Sequence, residues 1–186
     1  AAGSRIGVMM DGELIQVGKP EDIFYAPSDL RVARFVGVEN ILKGRIVSNE
    51  GGLARIGVNS HSLEAVTDCL AGEEVYVCIR PEEVIISLQT PSSSARNALS
   101  GEVHLIALSG PYARVEIDCG VRVVSLVTRR SAEELGLQVG QPSTGRGHVP
   151  RSRLLHRDHD EFPVESPCHA RRLADQFLLA GRPARD

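Results

Sequence analysis

The sequence predicts a mainly β protein: a small antiparallel barrel or sandwich built from two imperfect copies of one unit, with a short α/β segment before it and an irregular tail behind it. Three observations carry this reading. Asn40-Ile41-Leu42-Lys43-Gly44-Arg45-Ile46 returns as Asn97-Ala98-Leu99-Ser100-Gly101-Glu102-Val103, an offset of 97 − 40 = 57. Between residues 40 and 141 the chain consists of short β-branched runs punctuated by glycine, the pattern of antiparallel strands joined by tight turns. From Pro142 onward it turns to Arg, His and Pro and contains no Ile, Lys or Tyr. The expected division is therefore 1–36, a first repeat 37–90, a second and incomplete repeat 91–141, and a tail 142–186.

Taken in order, Ile6-Gly7-Val8-Met9 and Leu14-Ile15-Gln16-Val17 flank Asp11-Gly12, a pair suited to the positive φ angles of a type I′ hairpin turn. Lys19-Pro20-Glu21-Asp22 opens a helix, because proline at the first helical position forfeits no needed N–H and the two acids favour the positive helix end; Pro27 ends it. Ser28 is expected to cap a second helix with Leu30, Val32, Phe35 and Val36 on its apolar side, stopped by Gly37. In the repeats, Gly51 with Ala54-Arg55-Ile56 aligns with Gly110 and Ala113-Arg114-Val115 at 113 − 54 = 59, and Val66-Thr67 aligns with Val127-Thr128 at 127 − 66 = 61. Val115, Ile117 and Cys119 alternate with Glu116 and Asp118, which predicts one buried and one wet face. Ser131-Ala132-Glu133-Glu134 fits a capping box, with a helical turn to Leu135 stopped by Gly136. After Gly72 the first repeat continues into Val75-Tyr76-Val77-Cys78-Ile79 and then Val84-Ile85-Ile86, whereas after Gly140 no comparable run follows. The closing strands of the second repeat are thus expected to be missing. The abrupt change of composition reads as an out-of-frame stretch without selected function, or as a tail with a helix over 167–180 capped by Ser166.

Composition narrows the function classes. A net charge of −3 gives no basis for nucleic-acid binding through bulk charge, and Tyr76 and Tyr112, the two aromatics of the barrel region, are too few for a base-stacking platform. No apolar run approaches the roughly 20 residues of a membrane helix. Cys69, Cys78, Cys119 and Cys168 lie far apart without a C-x-x-C pair, which suits reduced thiols better than zinc or disulfides. The tail histidines His148, His156, His159 and His169 supply no ligand set of fixed geometry, so no metal site is expected.

Ser4-Arg5-Ile6-Gly7-Val8-Met9, Asp11-Gly12, Gln16, Gly18, Pro20, Ile23 and Tyr25 resemble the end of the nucleotide-binding domain in ATPase subunits of ABC importers, with Ser4 and Gly7 standing where Asp and Ala are usual. Phe35-Val36-Gly37, Asn40 and Arg80-Pro81-Glu82-Glu83-Val84 resemble the transport-associated OB (TOBE) region that follows. Ser94-Ala95-Arg96-Asn97 with Gly101, Val127-Thr128-Arg129-Arg130-Ser131 and Leu135-Gly136-Leu137 are similar to the molybdate-binding (Mop) module of molbindins and of molybdate and tungstate importers. The resemblance implies an OB-like barrel of two TOBE/Mop repeats behind a remnant of the nucleotide-binding domain. It also implies a cytoplasmic location at the inner face of the membrane, a second ATPase subunit as homodimer partner, and membrane permease subunits reached through the intact parent. ATP and Mg²⁺ belong to that parent. This chain has no G-x-x-x-x-G-K-[ST] loop, since Gly18-Lys19 runs into Pro20, which lacks both the donor and the hydroxyl that phosphate and Mg²⁺ require. It is expected to be a C-terminal fragment without ATPase activity. A freestanding molbindin-like protein, or an importer subunit for sugar, polyamine or iron, is the alternative.

A tetrahedral dianion exchanges its water shell for a fixed array of hydroxyls, N–H groups and a guanidinium. On the resemblance, Ser94, Arg96, Thr128 and Ser131 are the candidate oxyanion ligands. The ordinary reading gives Ser131 a helix cap, Thr128 a cross-strand pair and Arg96 a solvated charge. In the family a Lys near the module's last strand completes the site, and its absence would cost on the order of 2–5 kcal/mol.

Overall fold

The computed structural model describes residues 5–88, 97–147 and 154–156. Strands β1 (Ile6–Met10) and β2 (Glu13–Gly18) pair as the expected hairpin, with φ of 51° at Asp11 and 82° at Gly12. Helix α1 (Pro20–Tyr25) starts on Pro20 with Glu21 and Asp22 in its first turn. Helix α2 (Leu30–Phe35) is capped by Asp29, whose carboxylate accepts the Arg31 N–H at 2.6 Å. Ser28 is not the cap: its N–H is donated to Gln16 Oε1 at 2.9 Å, tying the helix entry to the hairpin. Phe35, placed on the apolar side, is 71% exposed, and Val32 and Ala33 are the buried pair. Gly37 ends the helix at φ +88° as expected.

Two five-stranded antiparallel sheets follow. The first has the order β12-β6-β3-β4-β5 and the second β10-β9-β8-β11-β7. In chain order these are β3 (Asn40–Glu50), β4 (Leu53–Val58), β5 (His61–Val66), β6 (Glu74–Ile79), β7 (Ile85–Ser87), β8 (Asn97–Ser109), β9 (Tyr112–Asp118), β10 (Arg122–Thr128), β11 (Pro142–Gly147) and β12 (Leu154–His156). A 3-10 turn over Pro81–Glu83 joins β6 to β7, and α3 (Arg129–Glu134) follows β10.

The second repeat is complete, which corrects the sequence reading. Strand β11 pairs with β8 from Asn97↔Gly147 to Glu102↔Pro142, as β6 pairs with β3 from Asn40↔Ile79 to Arg45↔Glu74. Pro142 sits at the first strand position, where a missing N–H is tolerated. The short run Ser143-Thr144-Gly145 has little strand propensity, but it is paired with β8 throughout and with β7 at Thr144 and Gly145. The expected boundary at 141 therefore moves outward, and residues 142–147 and 154–156 are part of the sheets rather than of an unpaired tail. The helix anticipated over 167–180 lies outside the described residues.

Each repeat gives its last strand to the other. Strand β7, which follows the first repeat, pairs with β11 in the second sheet, and β12, which follows the second, pairs with β6 in the first. The register also explains the drifting offset. Ile46 pairs with Ile56 and Val103 with Ile117, so the β8–β9 hairpin is longer than β3–β4 on both legs. Ile56 thus corresponds to Ile117, not to Val115 as aligned from the sequence. Gly44 and Gly101, equivalent in the two repeats, are required by close approach. A Cβ on Gly101 would stand 2.1 Å from the Asp118 carbonyl oxygen, and one on Gly44 2.7 Å from Ile56 Cγ2.

One apolar core spans both sheets, from Leu42, Ile46 and Ile56 to Val103, Val115 and Ile117. A second joins Val8, Ile23, Val32, Ala33, Val36 and Val38 of the N-terminal unit to Cys78 of β6 and Leu155 of β12. Burial of each such large side chain contributes about 1.5–3 kcal/mol, so the N-terminal unit is seated on the barrel by its own apolar face.

Candidate functional site

Strand β10 ends at Thr128, which is the N-cap of α3: its Oγ1 accepts the Ser131 N–H at 3.0 Å and lies 2.7 Å from Ser131 Oγ. The cap is therefore Thr128 rather than Ser131, and the two hydroxyls form one exposed pair. The helical turn ends as expected, with Gly136 at φ +58°. Buried Ala132 anchors it to the core, and the Arg129 N–H donates to the Pro111 carbonyl at 2.8 Å. Arg129 pairs with Glu133 at 3.0 Å and Arg130 with Glu134 at 2.7 Å. These exposed pairs add little stability, but they engage the two arginines that lie between Thr128 and Ser131 in sequence. Of the four candidates the structure brings Thr128 and Ser131 together; Ser94 and Arg96 lie outside the described residues.

Asn97, directly after Arg96, is buried at the start of β8. It donates to the Glu64 carbonyl at 3.0 Å and accepts the Glu64 N–H at 2.6 Å. Its counterpart Asn40, 1% exposed, donates to the carbonyls of Val124 (2.9 Å) and Ile79 (3.2 Å) and accepts the Val124 N–H at 2.6 Å. The two asparagines are reciprocal clamps: each holds the outer strand of the other repeat, Asn40 on β10 and Asn97 on β5. Sequence reasoning noted both at equivalent positions without assigning this role. Identical amide side chains opening two equivalent strands were the available signal.

Glu116 is also placed differently from expectation. It is 7% exposed rather than wet, and it is paired with Arg114 and, at 3.4 Å, with Arg122. The Arg114 hydrogen bond holds its carboxyl below the usual carboxylate range despite burial. Arg114 in turn reaches Glu39 at 2.7 and 3.0 Å, and these two carboxylates raise its pKa. Burial pushes the Cys119 thiol up to about 11, so it is an inert structural thiol. Cys69, Cys78 and Cys119 are buried and form no disulfide. Among the described residues no group of three His, Cys, Asp or Glu side chains could hold a metal, and no helix is long and apolar enough to cross a membrane.

A TOBE domain profile matches residues 93–144, ending inside β11. The molybdate/tungstate import ATP-binding protein WtpC of Pyrococcus abyssi is 34% identical over 140 residues, which are 75% of this chain and 39% of that protein. WtpC of Thermococcus kodakarensis is 38% identical over 101 residues, 54% and 28% of the two chains. The Fe(3+) ions import ATP-binding protein FbpC of Fusobacterium nucleatum is 32% identical over 125 residues, 67% and 33%. The chain thus spans roughly two fifths or less of these relatives. Among solved structures, the cytoplasmic molybdate-binding protein ModG, with molybdate bound, is similar with a TM-score of 0.56 and 25% identity over 64% of this chain and 95% of that one. The mainly β, OB-like fold is common to both. Residues 93–144 match the TOBE domain family, and the chain is similar to the C-terminal, TOBE-bearing part of the ATP-binding subunits of ABC importers.

Proposed function

We propose that this region is the oxyanion-sensing part of an importer ATP-binding subunit for molybdate or tungstate, and that Ser94, Arg96, Thr128 and Ser131 are its ligands. The carrying observation is the Thr128–Ser131 hydroxyl pair at the end of β10, in a repeat pair that matches nearly the whole of a protein described with molybdate bound. Two hydroxyls held by a helix cap are preorganised to donate to a tetrahedral dianion. Arg96 would add the charge, and buried Asn97 fixes the backbone beside it. Strand β11 supplies the strand expected to be missing, but it carries no Lys, so the cost of the absent cation remains. ATP and Mg²⁺ would act in the longer parent, which would work as a homodimer with permease subunits at the cytoplasmic face of the membrane; this chain alone has no phosphate loop and would not hydrolyse ATP. A freestanding molybdate-binding protein is the second reading, favoured by the ModG likeness. The N-terminal unit packed on the barrel has no purpose there.

Titration calorimetry with molybdate, tungstate and sulfate tests the assignment. Heat is expected from the first two, with little from sulfate, and R96A should abolish it. Unchanged molybdate binding by R96A would show the site to be elsewhere.

A further inference from the structure

We infer that β10 couples the Thr128–Ser131 end of the second repeat to the N-terminal unit, through Ser125, the turn Pro81–Glu83 and Arg80. As a statement about the effect of oxyanion occupancy, this rests on the reading above.

The connection is continuous and polar. Ser125, three residues before Thr128 and fully buried, donates its hydroxyl to the Val84 carbonyl at 2.6 Å. Val84 closes the 3-10 turn, its N–H bonded to the Pro81 carbonyl at 3.3 Å. At the turn's other end the Arg80 N–H donates to Glu83 Oε2 at 3.3 Å. The Arg80 guanidinium then leaves the barrel: Nη2 donates to the Phe24 carbonyl in α1 at 2.7 Å, and the group lies 5.8 Å from the Tyr25 ring centroid. That carbonyl belongs to the last turn of α1, which has no intrahelical partner for it and no basic residue of its own.

Two details point to a relay rather than to mere packing. The sheet registers make Ala65 the counterpart of Ser125, since Ala54 pairs with Ala65 and Val115 with Ser125. The same inward position in the first repeat is filled by a buried methyl group, so the barrel does not need a hydroxyl there. Arg80 Nε is buried without a hydrogen-bond partner. A shift of the turn that satisfied Nε would offset part of the loss of the Phe24 bond, which is what a second arrangement of the fork would need to serve as a switching element. An anion drawing on Thr128 would bias that choice through β10.

The test is amide hydrogen exchange of the whole chain, read at Ile23 and Ala26, whose N–H groups bond to Lys19 and Asp22 carbonyls within α1. S125A and R80K should each accelerate exchange there about 2- to 10-fold, the effect of losing one hydrogen bond. The double variant should exceed R80K little, because the two act in series. R80K keeps the charge but not the fork, and alanine at 125 has its precedent in the first repeat, so both chains should fold. Native α1 exchange in S125A, alongside acceleration in R80K, would overturn the relay. Sodium molybdate should alter α1 exchange in the native chain and not in R80K. Protection confined to Thr128–Ser131 would refute coupling. Should molybdate protect nothing, the oxyanion reading falls and the S125A result alone decides the relay.

Discussion

Replacing Asn40 by alanine should unseat β10 from the first repeat. The amide makes three bonds from a buried position, two to Val124 and one to the Ile79 carbonyl. Each contributes about 0.5–1.5 kcal/mol net, and backbone groups left buried without partners add about 1–3 kcal/mol. Water reaching the outer edge of β10 offsets part of that second amount, so a total loss of about 2–4 kcal/mol is expected. Urea denaturation followed by far-UV circular dichroism measures it as a lower midpoint with unchanged slope. Thermal unfolding should shift by about 2–4 °C per kcal/mol for a domain of this size. Asn97→Ala removes only the two bonds to Glu64 and should cost less. The clamps share no partner, so the two losses should add. A loss below about 0.5 kcal/mol for Asn40→Ala, the lower bound for a single bond, would show that the clamp is incidental to holding the repeats together.

Three further expectations concern single positions. Gly101→Ala places a Cβ 2.1 Å from the Asp118 carbonyl and should cost about 1–3 kcal/mol or more by overpacking, visible as a lower urea midpoint; an unchanged midpoint would contradict the strand spacing. The Cys119 thiol, raised by burial from 9.0 to about 11, stays protonated in the folded chain while it ionises in the unfolded one. Its stabilising contribution is therefore complete below pH 9.0 and is lost as the pH rises toward about 11, and C119S should flatten that part of the stability profile. Glu116, whose carboxyl is lowered by Arg114, contributes stability above its ordinary value of 4.5 that is lost as acid protonates it. Glu116→Gln should make acid unfolding shallower below that pH, and an unaltered acid limb would count against the ion pair.

Local chemistry was the legible part of this fold. Asp11-Gly12, Pro20, Gly37 and Gly136 each did what their backbone preferences dictate, because turns and helix stops are decided within a few residues. Features that depend on distant partners were not visible. Ser143-Thr144-Gly145 lacks any strand period, and its place is set by the edges that β8 and β7 offer it. Glu116 read as a wet residue because alternation knows nothing of Arg114 and Arg122 beside it. The Asn40 clamp joins residues 84 apart in sequence, beyond any local pattern. At the candidate site Thr128 and Ser131 were found by resemblance, and their mutual bond follows from spacing. Which of the two caps the helix required the end of β10 to be known.

The exchange of closing strands makes the two repeats inseparable in a mechanical sense. Strand β7 fills a wall of the half it does not belong to, and β12 does the same in return, so no single cut in the chain releases a finished half. A nick in the segment between β7 and β8 would leave two pieces still interlocked through β7 on β11 and β12 on β6, parting only when both sheets come apart. The contacts that close the two sheets, β7 on β11 and β12 on β6, join segments far apart in the chain and are the slowest kind to form.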